Sequence, residues 1–223
     1  MAEKVVFRSL DNGTITEEHF LYTFYPGFAP VQKQKNILSL HSSIHEKYPN
    51  FNVLEVSSKS ETELGKKLSA FNLMLDGCCV ESIFQSSKVF ADDIQFSFLL
   101  GKSGREVKKY MKEHHMAPLN CFRYQGIEYP LFPKTAFYDY IYIKALLNNK
   151  SIYEELIKYD VFTDIEFNEK KSINCQARTC AIFVSLYKSK RIENAMSSFE
   201  SFAKIYDELQ SGQLELNFTG DQQ

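Results

Sequence analysis

From Pro133 onward the chain carries Phe137, Tyr138, Tyr140, Ile141, Tyr142, Ala145 and Leu146 at helical density. Proline is tolerated in the first turn of a helix and marks its start. Side chains this large need a core to cover them, so the tyrosines from 138 to 142 read as packing residues. A second apolar pattern, Ile173 to Leu186, predicts a buried helix, and Ile192 to Leu209 an amphipathic one.

The rest of the chain alternates between the two periods. Residues 4–10 read as a short strand, and Pro30 opens a helix to about Lys47 with Ile37, Leu40 and Ile44 at core spacing and Pro49 as its stop. Asn52 to Ser57 predicts a buried strand. The segment LSAFNLMLDGCC predicts a second extended stretch with a turn at Asp76-Gly77. Val80 to Phe90 is helical in pattern, and Lys102 to His114 reads as a charged, exposed helix. Tyr124-Gln125-Gly126 suggests a turn between short strands ending near Pro130. Ser151 is placed to cap the helix after the aromatic one, Phe162 to Phe167 to form a strand, and nothing after Gly212 to be firmly ordered. Without a repeat, a low-complexity run or a linker, the expectation is one domain over 1–223, α+β and mainly helical with a small sheet.

Charge and composition close off several classes. With 44% hydrophobic and 24% charged residues the chain is an ordinary globular one. A net charge of −2 excludes a general nucleic-acid coat protein. Contact with DNA would be local, at Lys33 with Lys35 or at Lys102, Arg105, Lys108, Lys109 and Lys112. The N-terminus MAEKVVFRSL has no apolar run of signal-peptide length, and no stretch reaches the roughly 20 residues that span a bilayer. Five cysteines without such a signal read as reduced thiols, so a cytoplasmic location is expected.

On a helix from Val80 to Phe90, Glu81, Gln85 and Lys88 fall within an arc of roughly 60°, opposite most of the apolar stripe. A carboxyl, an amide and an amine together supply a proton donor or acceptor, an orienting group and a nucleophile. The same trio describes the wet face of many surface helices. His41 and His45, four apart, have a zinc-compatible spacing but no third ligand, so no metal is assigned. Cys175 reads as a buried thiol, and GKSGRE lacks the spacing of a phosphate loop.

Two segments carry a resemblance. LSAFNLMLDGCCVESIFQSSKVF resembles the signature of the NADAR family, matching at Leu68, Ser69, Phe71, Glu81, Phe84, Gln85, Lys88 and Phe90. FTDIEFNEKKSINCQARTCAI is similar to the family's acidic loop and its asparagine-bearing final core helix. The pairing of SSKS (Ser57 to Ser60) with QKQKN…LH (Gln32 to His41) resembles the branch that serves as antitoxin to DarT-type DNA ADP-ribosyltransferases. Two departures stand out: Ser82 replaces the histidine that follows the motif glutamate, and no tryptophan exists to form the acidic loop's Trp-Gly pair. Phe71 or Phe167 would have to supply any stacking platform.

The resemblance implies a NADAR-like fold and removal of ADP-ribose from guanine bases of DNA, single-stranded or flipped, without a cofactor. For cleavage of such a bond Glu81 is the expected acid, with Asp164 or Glu166 as second acid, and Lys88 first or Lys59 second as the candidate amine nucleophile. Binding residues would be Ser58, Phe71, Asn72, Gln85, Asp164, Glu166, Asn174, Gln176 and Arg178. A DarT-type toxin would be a possible partner, and no membrane is involved. Two other functions stay open: cleavage of a ribosylamino-pyrimidine in riboflavin synthesis, and inert binding of ADP-ribosylated DNA or of the toxin.

Overall fold

The computed structural model describes residues 1–114 and 118–206. In chain order come β1 (Ala2–Ser9), β2 (Ile15–Tyr22), α1 (Pro30–Lys47), β3 (Val53–Glu55), α2 (Glu63–Lys67), β4 (Met74–Leu75), β5 (Cys78–Cys79), α3 (Val80–Ser86) and β6 (Lys88–Phe90). There follow α4 (Gly104–Glu113), β7 (Leu119–Tyr124), β8 (Ile127–Tyr129), α5 (Ala136–Leu147), α6 (Lys150–Leu156), β9 (Val161–Thr163), α7 (Gln176–Lys188) and α8 (Ile192–Ala195). The α+β class with helices in the majority is what the periodicities predict. The order expected to fail after Gly212 lies outside the described residues.

The main sheet runs β2-β1-β9-β3, with β9 antiparallel to β1 and parallel to β3. Alternation along β1 sends Val5 and Phe7 into the larger core and Val6 into a second one, so both faces are covered. The helix α1 covers one face through Ile37, Leu40 and Ile44, against Val6, Phe20, Tyr22 and Val161. On the other face lie α7 and the aromatic α5, which is buried nearly all round: Phe137, Ile141, Tyr142, Ile143, Ala145 and Leu146 are each at most 1% exposed.

Because β3 and β9 run parallel, their C-terminal ends emit two loops side by side. From β3 leaves Val56 to Ser60, and from β9 the acidic stretch beginning at Asp164. Open sheets tend to bind ligands just outside the carboxyl ends of such strands.

Several local expectations are corrected. The helix expected over Val80 to Phe90 stops at Ser86: the hydroxyls of Ser86 and Ser87 both donate to the Ile83 carbonyl, and Lys88 onward pairs with β7. The stretch from Leu68 to Leu73 is turned, not extended, with the amides of Asn72 and Leu73 donating to the Ser69 carbonyl. The turn at Asp76-Gly77 is present, both residues taking positive φ between β4 and β5. Asn149, not Ser151, precedes α6, and its carbonyl receives the amides of Ile152 and Tyr153. The strand at Phe162 ends after Thr163, where the Asp164 carboxyl accepts the amides of Glu166 and Phe167 and bends the chain. The terminal helix breaks after Ala195 and resumes over 199–206, the Ser198 hydroxyl receiving the Ser201 amide.

Candidate active site

Glu81 stands in the first turn of α3 and is 8% exposed. Its amide donates to the Ala70 carbonyl, so the turned LSAF segment sets where the helix begins. One turn on, the Gln85 amide donates to its carboxyl at 3.1 Å. The strand β6 then returns Lys88, its ammonium 5.0 Å from the centre of the Phe84 ring. Lys88 therefore reaches Glu81's neighbourhood from a strand, not from two turns along a helix. Burial lowers its pKa, with Glu81 pulling the other way and Lys108 adding to the lowering.

Around these groups are polar atoms with nothing to bind. Gln85 Oε1 and Ser69 Oγ are buried without a hydrogen-bond partner. The Lys88 ammonium has no hydrogen bond or ion pair among the described residues. Tyr138 lies edge-on to Phe84, 5.2 Å between ring centres, and burial with the charges of Glu81, Asp139 and Asp164 raises its pKa. Unpaired buried polar atoms cost on the order of 1–3 kcal/mol each, so each of them calls for a ligand or water.

The acidic loop also lies close enough to Tyr138 for the Asp164 charge to act on it. Asp164 is 6% exposed, and burial together with the neighbouring Glu55 pushes its pKa up to about 7, against the pull of Lys4. The Lys4 ammonium donates to the carbonyls of Ile165 and Phe167, which pins the loop. Glu55, at the end of β3, accepts from Ser57 Oγ (2.6 Å), Thr163 Oγ1 (2.6 Å) and the Ile165 amide (2.9 Å). One buried carboxyl thus ties both loops. His41 Nε2 lies 3.0 Å from Thr163 Oγ1, and burial lowers its pKa to about 4. Among the described residues no group of three His, Cys, Asp or Glu side chains could hold a metal.

The other expected residues divide. Phe71 is half-buried beside Glu81, both packed against Gly104, where a Cβ would come within 2.6 Å of the Phe71 ring. Gln176 accepts the Ala70 amide and donates to the Val56 carbonyl, which stitches the LSAF segment to the loop after β3. Glu166 is exposed and paired with Lys33 at 2.8 Å. Asn72 is exposed and donates to the Lys66 carbonyl. Ser58 is exposed, while its neighbour Ser57 is the buried one. Lys59 and Asn174 are half-buried, and among the described residues no hydrogen bond or ion pair joins either to Glu81. Arg178 sits in another cluster, paired with Glu17 and Asp139 and donating to Tyr206. Cys175 is buried, which raises its thiol pKa.

Sequence reasoning missed Lys4, Glu55 and Tyr138. Alternation in β1 places Lys4 on the Val6 side, and the motif match stops short of it. Ser82, in the place of the family's histidine, is fully buried and bonds the Leu99 carbonyl and the Gly101 amide. A surface concavity of about 630 Å³ lies elsewhere, between β2 and α1, lined in part by Tyr22, Tyr25, Lys35 and Leu38. Of the candidate catalytic and substrate-binding residues none borders it, and of the candidate DNA contacts Lys35 does.

Among curated proteins none matches the chain. A family model does, over residues 2–215, and with it the turned LSAF segment, the Glu81 helix and the pinned acidic loop find their context: the chain belongs to the family of DarT1-associated NADAR antitoxins.

Proposed function

We propose that this protein is an N-glycosidic hydrolase that removes ADP-ribose from guanine bases of DNA and so counters a DarT-type toxin. The observation that carries the reading is that two buried carboxyls, Glu81 and Asp164, both lie close enough to Tyr138 to raise its pKa, with the Lys88 amine close to Glu81. Paired carboxyls in unlike environments are what glycosidic cleavage needs.

The bond from C1″ of the ribose to the guanine nitrogen breaks with its electron pair going to nitrogen. Asp164, which holds a proton up to about pH 7, gives that proton to the leaving nitrogen. Glu81 stabilises the positive charge that develops on the ribose. Water adds to C1″ and loses a proton to the emptied Asp164 carboxylate, leaving free ADP-ribose and intact guanine. Glu166 is not the second acid, because its carboxylate is spent on Lys33 at the surface. A covalent variant starts with ring opening of the aminal to an imine. Lys88 then adds as a neutral amine, guanine leaves, and water later frees the sugar. Gln85 orients Glu81 and offers its free carbonyl to the substrate.

The test is incubation of the protein with a single-stranded oligonucleotide carrying ADP-ribosylated guanine, scored for free ADP-ribose and restored guanine. Tight binding without release would leave a binding antitoxin in place of an enzyme. Borohydride trapping of a sugar adduct on Lys88 selects the covalent route, and a blank result selects water attack.

A further inference from the structure

The helix α4 starts beside the candidate site. Gly104 touches Phe71 and Glu81, and the Lys108 ammonium lies 5.6 Å from the centre of the Phe71 ring. From that edge a basic stripe runs outward. Arg105, Lys108, Lys109 and Lys112 fall within roughly 100° of helix surface, and Lys102 precedes them. In a chain of net charge −2, residues 102–113 carry five cations against two carboxylates. Glu106 is committed to the capping box with Ser103, and Glu113 to Lys109. Lys102, Arg105, Lys108 and Lys112 have no ion pair among the described residues.

Aromatic rings flank the stripe. Phe98 is 59% exposed, stands edge-on to Phe96 and Tyr110, and Tyr110 stacks on His114 at 3.9 Å. A phenylalanine more than half in water is poorly explained by packing. Cations with exposed rings are the chemistry of single-stranded nucleic acid, whose phosphates and base faces are both accessible. The other basic pair serves elsewhere: Lys33 is bound to Glu166, and Lys35 lies over the Tyr25 ring.

We propose that α4 and Phe98 form the track for the single-stranded DNA that flanks the modified guanine. The inference rests on DNA being the substrate. The helix spans about 15 Å, enough to follow a short run of single-stranded backbone.

Binding of an unmodified, fluorescein-labelled oligothymidylate to the full chain, followed by anisotropy across a salt series, tests the track without requiring turnover. Arg105→Ala with Lys112→Ala should weaken binding at least tenfold at low salt. The slope of log affinity on log salt should fall by about 1.4, or roughly 0.7 per lost phosphate contact. Phe98→Ala should weaken binding roughly tenfold with the slope unchanged. On ADP-ribosylated oligonucleotide the double variant should lose release of ADP-ribose at limiting substrate, while release from ADP-ribosylated guanosine stays at the wild-type rate. Unchanged affinity and slope in both variants would overturn the track. So would poly-glutamate binding as tightly as the oligonucleotide with no effect of Phe98→Ala, which would assign the stripe to an acidic protein. If wild type released no ADP-ribose from any substrate yet the variants still lost DNA affinity, the hydrolase reading would fall and the track would stand.

Discussion

Glu81 and Asp164 are both carboxyls, but in the proposed reaction their surroundings suit them to different roles. Replacing Glu81 by Gln keeps the contact with Gln85 nearly isosteric, so the fold should survive while turnover falls at least about 10²-fold, the scale of one positioned acid–base group. Circular dichroism alongside ADP-ribose release separates the two effects. Asp164 makes a prediction in pH. Its folded pKa, raised to about 7, lies above the ordinary carboxylate value of about 4. The native state therefore keeps a proton that the unfolded chain has released, and stability present at low pH is lost as pH rises from about 4 through 7. Glu55 is raised by burial as well and acts in the same direction. Wild-type unfolding free energy should fall between pH 5 and pH 8 by up to a few kcal/mol, and Asp164→Asn should flatten the drop. Turnover should decline through the same window if Asp164 donates the proton. A turnover profile that stays level to pH 9 would remove it from that role.

At the scale of elements, the close approach of α4 to α3 depends on Gly104. A methyl there would lie 2.6 Å from the Phe71 ring and 3.2 Å from Glu81 Cβ, so one helix or both side chains must shift. Gly104→Ala should cost about 1–3 kcal/mol of overpacking, outweighing the gain of up to about 1 kcal/mol that alanine brings to a helix. Turnover should fall more than the melting temperature suggests, because the displaced atoms belong to the site; a melting scan with parallel kinetics checks it. Elements were legible where one face alone was buried or where a turn had its own chemistry: Pro30 and the spacing of Ile37, Leu40 and Ile44 gave α1, and Asp76-Gly77 gave the β4–β5 turn. The strand β2 escaped because Ile15 joins one core while Phe20 and Tyr22 join the other, so no single alternation runs through ITEEHFLY. The spacing of Lys88 from Glu81 suits a helix, but the helix ends at Ser86, where the hydroxyls of Ser86 and Ser87 bond the Ile83 carbonyl and β6 begins its pairing with β7. Glu81 and Asp164, the pair proposed for catalysis, both lie in the segments that carry the family resemblance. Glu55 and Lys4 were not legible in the sequence, because their importance lies in which backbone they hold, and that depends on the parallel pairing of β3 with β9.

Over the whole molecule, one polar knot joins parts of the chain that are far apart in sequence. Arg178 on α7 reaches Asp139 on α5 at 3.3 Å, Glu17 on β2 at 2.9 Å and Tyr206 in the helical segment over 199–206 at 2.8 Å. Asp139 is 1% exposed and also accepts from Thr135 and Thr179. Burial raises its pKa while Arg178 opposes the rise. Removing the guanidinium leaves a buried carboxyl with hydroxyl partners only, so Arg178→Met should cost about 3–5 kcal/mol in urea unfolding. Adding Asp139→Asn should recover part of that loss, with a coupling on the order of 1–3 kcal/mol, because the two side chains share one interaction. If the knot is structural, ADP-ribose release per folded molecule should be nearly unchanged in Arg178→Met below its melting temperature. A substrate-binding arginine would give the reverse: KM raised at least tenfold with little loss of stability. Measuring unfolding and KM on the same preparation therefore decides whether the family's second motif supplies a ligand at this position or a bolt between helices.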